Sequence, residues 1–247
     1  MSAFIIAAAQ SRSLRGDIRR NIEIHLNYIN IAVENRVDLI IFPELSLTGY
    51  EPDIAKDNII EPSDHRLKPL INLSRQHQIT ILIGAPVESA NDKPFIGMII
   101  IGPDGTEVYR KQHLHPGEEL YFSSADSSKI ITIKDTKIGL AICADITHKS
   151  HSQTAAKMGA QIYAAGVLLT PNGYVNDAGL LQKYAKEYEM LVIMANYCGS
   201  SGGYESAGKS SIWDATGQLI VSGDSSEPSL LIAEWKNTEW IGRLIKI

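Results

Sequence analysis

The sequence is poor in several features that mark particular classes of protein. Only two cysteines occur among its 247 residues, Cys143 and Cys198, and their different sequence contexts argue against a disulfide framework. A reducing compartment fits this cysteine usage better, so we expect a cytoplasmic protein. No apolar run approaches the roughly 20 residues that a membrane-spanning helix needs, so we expect no membrane partner.

A strong excess of charge of one sign is also missing. Lys and Arg together number 23, against 28 Asp and Glu, which gives a formal net charge of −5 at pH 7. Binding to a phosphate backbone requires clustered Lys and Arg side chains. The composition therefore argues against nucleic acid as a partner.

Linkers and repeats are absent as well. No stretch rich in Pro and Ser, no low-complexity tract and no repeat interrupts the apolar runs, so we predict a single domain over residues 1–247. The content of 44% hydrophobic and 21% charged residues is ordinary for a globular protein. No basic residue precedes the apolar amino terminus, so we interpret Phe4–Ala9 as a first strand and not as part of a signal peptide.

What the sequence does contain is an alternation of strand-like and helix-like segments. Asp17 can cap a helix with apolar residues at helical spacing, and Val37–Phe42 follows as a buried strand. The second half repeats this order, with a predicted helix at Asp177–Glu189 between strands at Gln161–Leu168 and Leu191–Asn196. Hairpin patterns between the two halves add antiparallel strands. Together these segments predict an α/β fold with mixed parallel and antiparallel pairing.

One apolar strand, Ile138–Ile142, ends abruptly on Cys143, and small polar residues follow it. A strand that breaks into a helix presents its last side chain at the carboxyl edge of the sheet, where open α/β sheets usually bind ligands. Cys143 is therefore well placed to react. The competing interpretation is a small buried hydrophobe, which is the more common role of a free cysteine.

Two other strands lead to residues that could activate such a thiol. Val37–Phe42 precedes Glu44, and Glu107–Arg110 precedes Lys111. A thiol attacks as the thiolate, and a nearby ammonium lowers its pKa while a carboxylate can accept its proton. Taken singly, each of these two residues is more often a solvated loop charge. Together, Glu44, Lys111 and Cys143 are nevertheless sufficient parts for such a site, and the sequence motifs around them favour this joint interpretation.

The local sequence around these residues resembles that of the nitrilase, or carbon–nitrogen hydrolase, superfamily. The matching motifs are F-P-E-L-S-L-T-G-Y at Phe42–Tyr50, Y-R-K-Q-H-L at Tyr109–Leu114 and G-L-A-I-C-A-D at Gly139–Asp145. Their order and spacing match as well, and the resemblance extends over nearly the whole chain. It is specific for the superfamily and much less specific for one of its branches.

The resemblance implies a fold and a set of roles. The implied fold is an α-β-β-α sandwich of four layers with two mixed sheets, usually paired as a homodimer. Glu44 would serve as general base, Lys111 would stabilise the tetrahedral intermediate, and Cys143 would be the nucleophile. A second glutamate that helps to position the substrate or leaving group is implied to be Glu118, although its neighbour Glu119 stays open.

The sequence departs from the family pattern directly after the cysteine. Many members have an aromatic residue there and an Arg a few positions on, whereas this chain has Ala144 and then Thr147-His148. Nitrile-cleaving members typically show Cys-Trp-Glu, so Cys143-Ala144-Asp145 favours amides over nitriles. We therefore expect hydrolysis of a small linear amide without a metal or other cofactor, and hydrolysis of an N-carbamoyl compound or a nitrile by the same triad stays an alternative. By position, the expected pocket residues are Tyr50, His148, Tyr174 and Asn196.

Three alternative interpretations compete with this one. Gly203–Ser210 matches the phosphate-binding pattern G-x-x-x-x-G-K-[ST], but a strand and a turn are predicted after it where a helix is required. A zinc site is conceivable, because several histidines flank Lys111 and Cys143, but no paired cysteine spacing accompanies them. The fold could also be a binding module with an idle triad.

The apolar tail residues, which include Trp240 and Ile247, are expected to dock on another surface, such as that of a second subunit.

Overall fold

The alternating apolar segments form strands and helices in an α/β order. The computed structural model describes residues 4–90 and 92–247, so the first three residues of the apolar amino terminus lie outside the described part. Within it, the strands β1 to β15 are, in chain order, Ile5–Gln10, Leu39–Ile41, Thr80–Val87, Phe95–Gly102, Gly105–Arg110, Ile130–Ile133, Thr136–Ile142, Ile162–Val167, Leu191–Asn196, Ser200–Ser201, Tyr204–Glu205, Ser211–Trp213, Leu219–Ser222, Ser229–Lys236 and Glu239–Lys246. The α-helices α1 to α4 are Ile18–Glu34, Lys68–His77, Lys149–Lys157 and Pro171–Tyr188.

These strands form two large sheets. The first has seven strands in the order β15-β14-β1-β2-β3-β4-β5, and β1, β2 and β3 are parallel while the other neighbours are antiparallel. The second has six strands in the order β13-β12-β9-β8-β7-β6, with β7, β8 and β9 parallel. Both sheets are therefore mixed, as predicted.

The alternation of side chains along the strands explains the layers. In β1, Ile6 and Ala8 belong to one apolar cluster, whereas Ala7 and Ala9 belong to another. The first cluster also contains inward residues of the second sheet, such as Leu140, so it lies between the two sheets. Helices α1 and α2 cover the outer face of the seven-stranded sheet, and α3 and α4 cover that of the six-stranded sheet. The predicted four-layer α-β-β-α sandwich is confirmed.

Some element boundaries differ from the sequence prediction. Helix α4 begins at Pro171 and not at Asp177, because proline fits the first turn of a helix, where its missing N–H costs no hydrogen bond. The Gly/Ser loop contains the short β10–β11 hairpin. The apolar tail forms β15, which pairs with β14 along the sheet edge and leaves Ile241, Leu244 and Ile247 exposed. A second subunit on this edge stays a prediction.

The described helices are also informative about membranes. Over residues 4–90 and 92–247, none of them combines the length and the apolar character that crossing a bilayer would require.

Candidate active site

Three strand ends bring the candidate catalytic residues together between the two sheets. Glu44 follows β2, and Lys111 follows β5, so both extend from the seven-stranded sheet. Cys143 follows β7 of the six-stranded sheet. The site therefore lies where the carboxyl ends of these strands meet, which is the position that the sequence predicted.

Cys143 occupies a sharp turn. Its φ of 41° lies in the left-handed region, which is unfavourable for a residue with a Cβ atom. The turn is held by the Asp145 side chain, whose Oδ2 accepts the backbone N–H of Ile142 at 3.0 Å. The Cys143 thiol donates to the carbonyl oxygen of Leu168 at 3.7 Å. This conformation turns the chain sharply at the end of β7, where Cys143 stays partly exposed.

The Glu44 segment passes between a glycine of each sheet. A Cβ atom at Gly84 in β3 would lie 2.2 Å from the backbone nitrogen of Leu45 and 2.7 Å from the carbonyl oxygen of Pro43. A Cβ atom at Gly166 in β8 would lie 2.6 Å from the carbonyl oxygen of Phe42. Only glycine allows the backbone to come this close, so these two positions determine where Glu44 is held.

Glu44, Lys111 and Glu118 form a buried charged cluster. The Lys111 ammonium donates to Glu44 Oε1 at 2.7 Å and to both carboxylate oxygens of Glu118 at 2.9 Å. All three side chains are almost completely shielded from solvent. Glu44 Oε2 is buried without a hydrogen-bond partner among the described residues. That oxygen is available to a reacting group.

The structure separates Glu118 from its neighbour Glu119. Besides Lys111, the Glu118 carboxylate accepts the Tyr50 hydroxyl at 2.8 Å and the His115 backbone N–H at 2.7 Å. Glu119 is exposed, and its carboxylate accepts the backbone N–H of Gly117 instead. Of the two glutamates, Glu118 is therefore the one within the cluster.

The protonation states of the cluster follow from burial and charge. Burial, the largest effect, and the charge of Glu118 raise the pKa of Glu44, Lys111 lowers it, and the net result is a pKa of about 7. The carboxylates of Glu44 and Glu118 outweigh the cost of burial and raise the pKa of Lys111, which stays an ammonium. Burial, followed by the charge of Glu44, raises the pKa of the Cys143 thiol well above its ordinary value. The resting thiol is therefore protonated and needs a base in order to attack.

Asp145 ties the Lys111 segment to the Cys143 turn. Its Oδ1 accepts the backbone N–H groups of Gln112 and His113 at 3.1 and 2.9 Å. Its Oδ2 also accepts the Tyr109 hydroxyl at 2.6 Å. Asp145 is fully buried, so these charge-assisted bonds fix the two sheets relative to each other at the site.

A cavity of about 130 Å³ opens in front of Cys143. Its walls come from the strand ends, the β10–β11 hairpin, and α4 with the residues before it, and consist of Glu44, Tyr50, His115, Glu118, Cys143, Ala144, Thr147, Leu168, Leu169, Thr170, Gly173, Asp177 and Tyr204. A larger open groove of about 840 Å³ elsewhere on the protein contains none of the cluster residues.

Of the pocket residues expected from sequence, Tyr50 lines this cavity, whereas three lie outside its lining. The Tyr174 hydroxyl donates to the carbonyl oxygen of Lys209, so this ring turns away from Cys143. His148 is exposed, and its ring stacks on that of His113 with 3.8 Å between centroids. These placements correct the expectation for Tyr174 and His148.

Asn196 is the third of these residues, and its surroundings explain its position. It is fully buried, and its Oδ1 accepts the backbone N–H of Leu169 at 2.9 Å, while its amide group donates to the carbonyl oxygen of Gly208 at 2.7 Å. Asn196 therefore supports the cavity wall from behind and does not form part of it.

The sequence interpretation missed most of the wall that faces Cys143. Leu168, Leu169 and Thr170 follow the end of β8, so the same strand-end argument that identified Cys143 could have identified them. Gly173 and Asp177 are four residues apart on α4, and therefore share one helix face. The incorrect start predicted for that helix concealed this relation.

The two alternative sites can be compared with the structure. Strand β12 follows Gly203–Ser210, so this stretch lacks the helix that a phosphate-binding loop requires. His151 is buried between Tyr109 and Tyr163, with hydrogen-bond distances of 2.9 and 2.8 Å. No group of three or more His, Cys, Asp or Glu side chains is arranged to hold a metal ion in residues 4–90 and 92–247.

The fold and the site can now be compared with known proteins. The family model described as carbon–nitrogen hydrolase matches residues 5–240. The chain belongs to the carbon–nitrogen hydrolase family. The resemblance seen in the sequence motifs is thereby confirmed, and this carbon–nitrogen hydrolase acts on C–N bonds other than peptide bonds.

Several relatives of this carbon–nitrogen hydrolase carry amidase or nitrilase names. An (R)-stereoselective amidase from Pseudomonas sp. is 27% identical over 216 residues, which cover 86% of this chain and 78% of the amidase. A variant of the amidase from Nesterenkonia sp. AN1, with the acetamide moiety of fluoroacetamide added at its active-site cysteine, superimposes with a TM-score of 0.85. It is 23% identical, and the match covers 94% of this chain and 90% of that one.

A third relative has the same fold. Nit3 of Saccharomyces cerevisiae, a member of branch 10 of the nitrilase superfamily, superimposes with a TM-score of 0.87 at 21% identity. The match covers 95% of this chain and 90% of Nit3.

Proposed function

We propose that this chain hydrolyses a small linear amide to a carboxylic acid and ammonia through a thioester on Cys143. The observation that carries the proposal is the position of Cys143 and Glu44 in the lining of one cavity, with the buried Glu44 carboxyl group bound by Lys111. Similarity to an (R)-stereoselective amidase supports the amide class. In this mechanism, Glu44 is the general base and Lys111 stabilises the oxyanion.

The first half of the reaction forms the thioester. The Cys143 sulfur attacks the amide carbonyl carbon while the thiol proton passes to Glu44, whose raised pKa suits it to hold a proton near neutral pH. The carbonyl oxygen becomes an oxyanion, which the charged Lys111 stabilises in a water-poor site. Glu118 holds that ammonium in position.

The second half releases both products. Collapse of the tetrahedral intermediate breaks the C–N bond, and the proton on Glu44 passes to the departing amine, which leaves as ammonia. Glu44 is then a carboxylate again and removes a proton from a water molecule that attacks the thioester. The second tetrahedral intermediate collapses, the sulfur recovers a proton through Glu44, and the carboxylic acid leaves.

The cavity limits the size of the substrate. Its volume of about 130 Å³ is below the roughly 300 Å³ at which typical ligand pockets begin. Ala144, Leu168 and Leu169 supply apolar lining beside Cys143. A short aliphatic amide suits these dimensions better than a large or branched one.

Replacing the nucleophile tests the proposal. We expect Cys143→Ala to lower ammonia release from short amides at least about a thousandfold, because no other side chain in the cluster can form the acyl intermediate. Cys198→Ala is the matched control, since Cys198 is fully buried and outside the cavity lining. Intact-mass analysis should detect an acyl adduct on the native protein and none on Cys143→Ala. Ammonia release by Cys143→Ala at the native rate would contradict the mechanism, and a native protein without turnover or adduct would indicate a binding module.

A further inference from the structure

Asp177 lies on the wall of the cavity opposite the catalytic strand ends. It is on α4, one helical turn after Gly173, and both residues contribute to the cavity lining. A Cβ atom at Gly173 would lie 3.7 Å from Asp177 Oδ2, so the absence of a side chain there leaves the carboxylate uncovered. Among the described residues, Asp177 makes no hydrogen bond and no ion pair. The carboxylate is therefore available to a ligand.

The environment of Asp177 penalises its negative charge. The side chain is only partly exposed, and this burial raises its pKa, with a smaller opposing effect from His115. By contrast, the half-buried carboxylate of Asp64 is paired with Arg66. A positively charged group of a ligand would supply the partner that Asp177 lacks among the described residues.

The other groups around the cavity also favour a cation. Three carboxyl groups line it, those of Glu44, Glu118 and Asp177. The Lys111 ammonium is bound by the first two, so it does not neutralise Asp177. A cleft with such an excess of acidic groups attracts cations and repels anions.

Two aromatic rings add to this preference. Tyr50 and Tyr204 line the cavity, and their rings meet edge to face with 6.0 Å between centroids. The face of a tyrosine ring attracts a cation through its quadrupole. An opposing influence comes from the amino terminus of α4 near Thr170, but its partial positive charge of roughly half a unit is smaller than the acidic excess.

We propose that Asp177 is a specificity-determining residue and that this hydrolase prefers short amides whose far end carries an ammonium group. The proposal rests on the amide hydrolysis proposed above and names the substrate class of that same cavity. The amide carbonyl would lie at Cys143 and the ammonium beside Asp177.

The test uses matched amides that differ in charge at the far end. A series of ω-amino amides of increasing chain length is compared with the neutral alkyl amides and the ω-carboxy amides of equal length, and ammonia release gives kcat/KM for each. In the native protein we expect the best ω-amino amide to exceed its neutral counterpart by about five- to tenfold. The cation-to-neutral ratio should fall as salt is added, because screening weakens the contact with Asp177.

Variants assign the preference to one side chain. Asp177→Asn should bring the ratio close to one, and Asp177→Glu should keep it above one. Glu187 lies on the same helix, but its carboxylate pairs with Lys149 outside the cavity. Glu187→Gln should therefore leave the ratio unchanged. A native preference for neutral or anionic amides, or an equal ratio in Asp177→Asn and the native protein, would overturn the proposal while amide hydrolysis itself stands. Failure of the native protein to hydrolyse any amide would overturn both.

Discussion

At the scale of single residues, the adjacent pair Glu118 and Glu119 shows how environment separates two identical side chains. Glu118 is 3% exposed and bonds to Lys111, Tyr50 and the His115 backbone, whereas Glu119 is exposed. We expect Glu118→Gln to lower kcat/KM for a short amide by at least about a hundredfold, because Lys111 loses one of the two charges that position it. The measurement is ammonia release at saturating and at low substrate.

Glu119→Gln is the matched control for that change. It removes the same charge one residue away, and we expect kcat/KM to stay within about twofold of the native value, as for most surface substitutions. Equal losses in the two variants would show that net charge near the site, and not the contact with Lys111, determines the effect.

The sequence predicted the residues of the site unevenly. Glu44, Lys111 and Cys143 could be predicted because each follows the end of an apolar run, where a strand ends, and because the motifs around them resemble those of one family. Glu118 was favoured by the family resemblance but could not be separated from Glu119, because a short turn has no periodicity that assigns a face. Asp177 was missed for a related reason, since its contact with the cavity depends on the packing of a helix.

At the scale of elements, a glycine in each of the strands β3 and β8 allows the backbone beside Glu44 to approach the strand closely. Gly84→Ala would place a Cβ atom 2.2 Å from the Leu45 nitrogen, which forces the backbone beside Glu44 to move. We expect this substitution to lower the free energy of unfolding by about 1–3 kcal/mol and to lower kcat more than KM changes. Urea unfolding and steady-state kinetics measure the two effects.

Gly179→Ala serves as the control at this scale. Gly179 lies in α4, and a Cβ atom added there would meet no atom within 4 Å beyond its chain neighbours and the backbone of its own helix. Alanine favours a helix over glycine by up to about 1 kcal/mol, so we expect the free energy of unfolding to rise slightly. Native-like kinetics in Gly84→Ala would show that the position of Glu44 does not depend on this glycine.

The sequence could not predict the role of Gly84, because a glycine in an apolar run does not reveal which segment crosses it.

At the scale of the whole molecule, a buried histidine links the outer helix layer to the segment that contains Glu44. His25 of α1 donates from Nδ1 to the carbonyl oxygen of Asn21 at 2.6 Å, and its Nε2 accepts the hydroxyl of Ser46 at 3.0 Å. Its ring stacks on Phe42, directly before the Glu44 segment, with 4.1 Å between centroids. Protonation of His25 would therefore disturb both the packing of α1 and the support of Glu44.

Burial lowers the pKa of His25 from 6.5 to about 4, with a smaller opposing effect from the Asn21 carbonyl. Because the folded protein binds this proton less readily than the unfolded chain, His25 should destabilise the fold as pH falls from 6.5 to 4, by about 3 kcal/mol. Glu44 acts in the opposite direction, since its raised pKa reduces stability as pH rises from 4.5 to 7.

Glu44 contributes to the pH dependence of stability in the native protein and in both histidine variants, so comparing them isolates the effect of His25. Between pH 7 and pH 4, the free energy of unfolding measured in urea should fall by about 3 kcal/mol less in His25→Gln than in the native protein. His77→Gln, which changes an exposed histidine at the end of α2, should follow the native curve. Parallel curves for the native protein and His25→Gln would mean that another group controls acid unfolding, and that α1 and the Glu44 loop are not coupled through this ring.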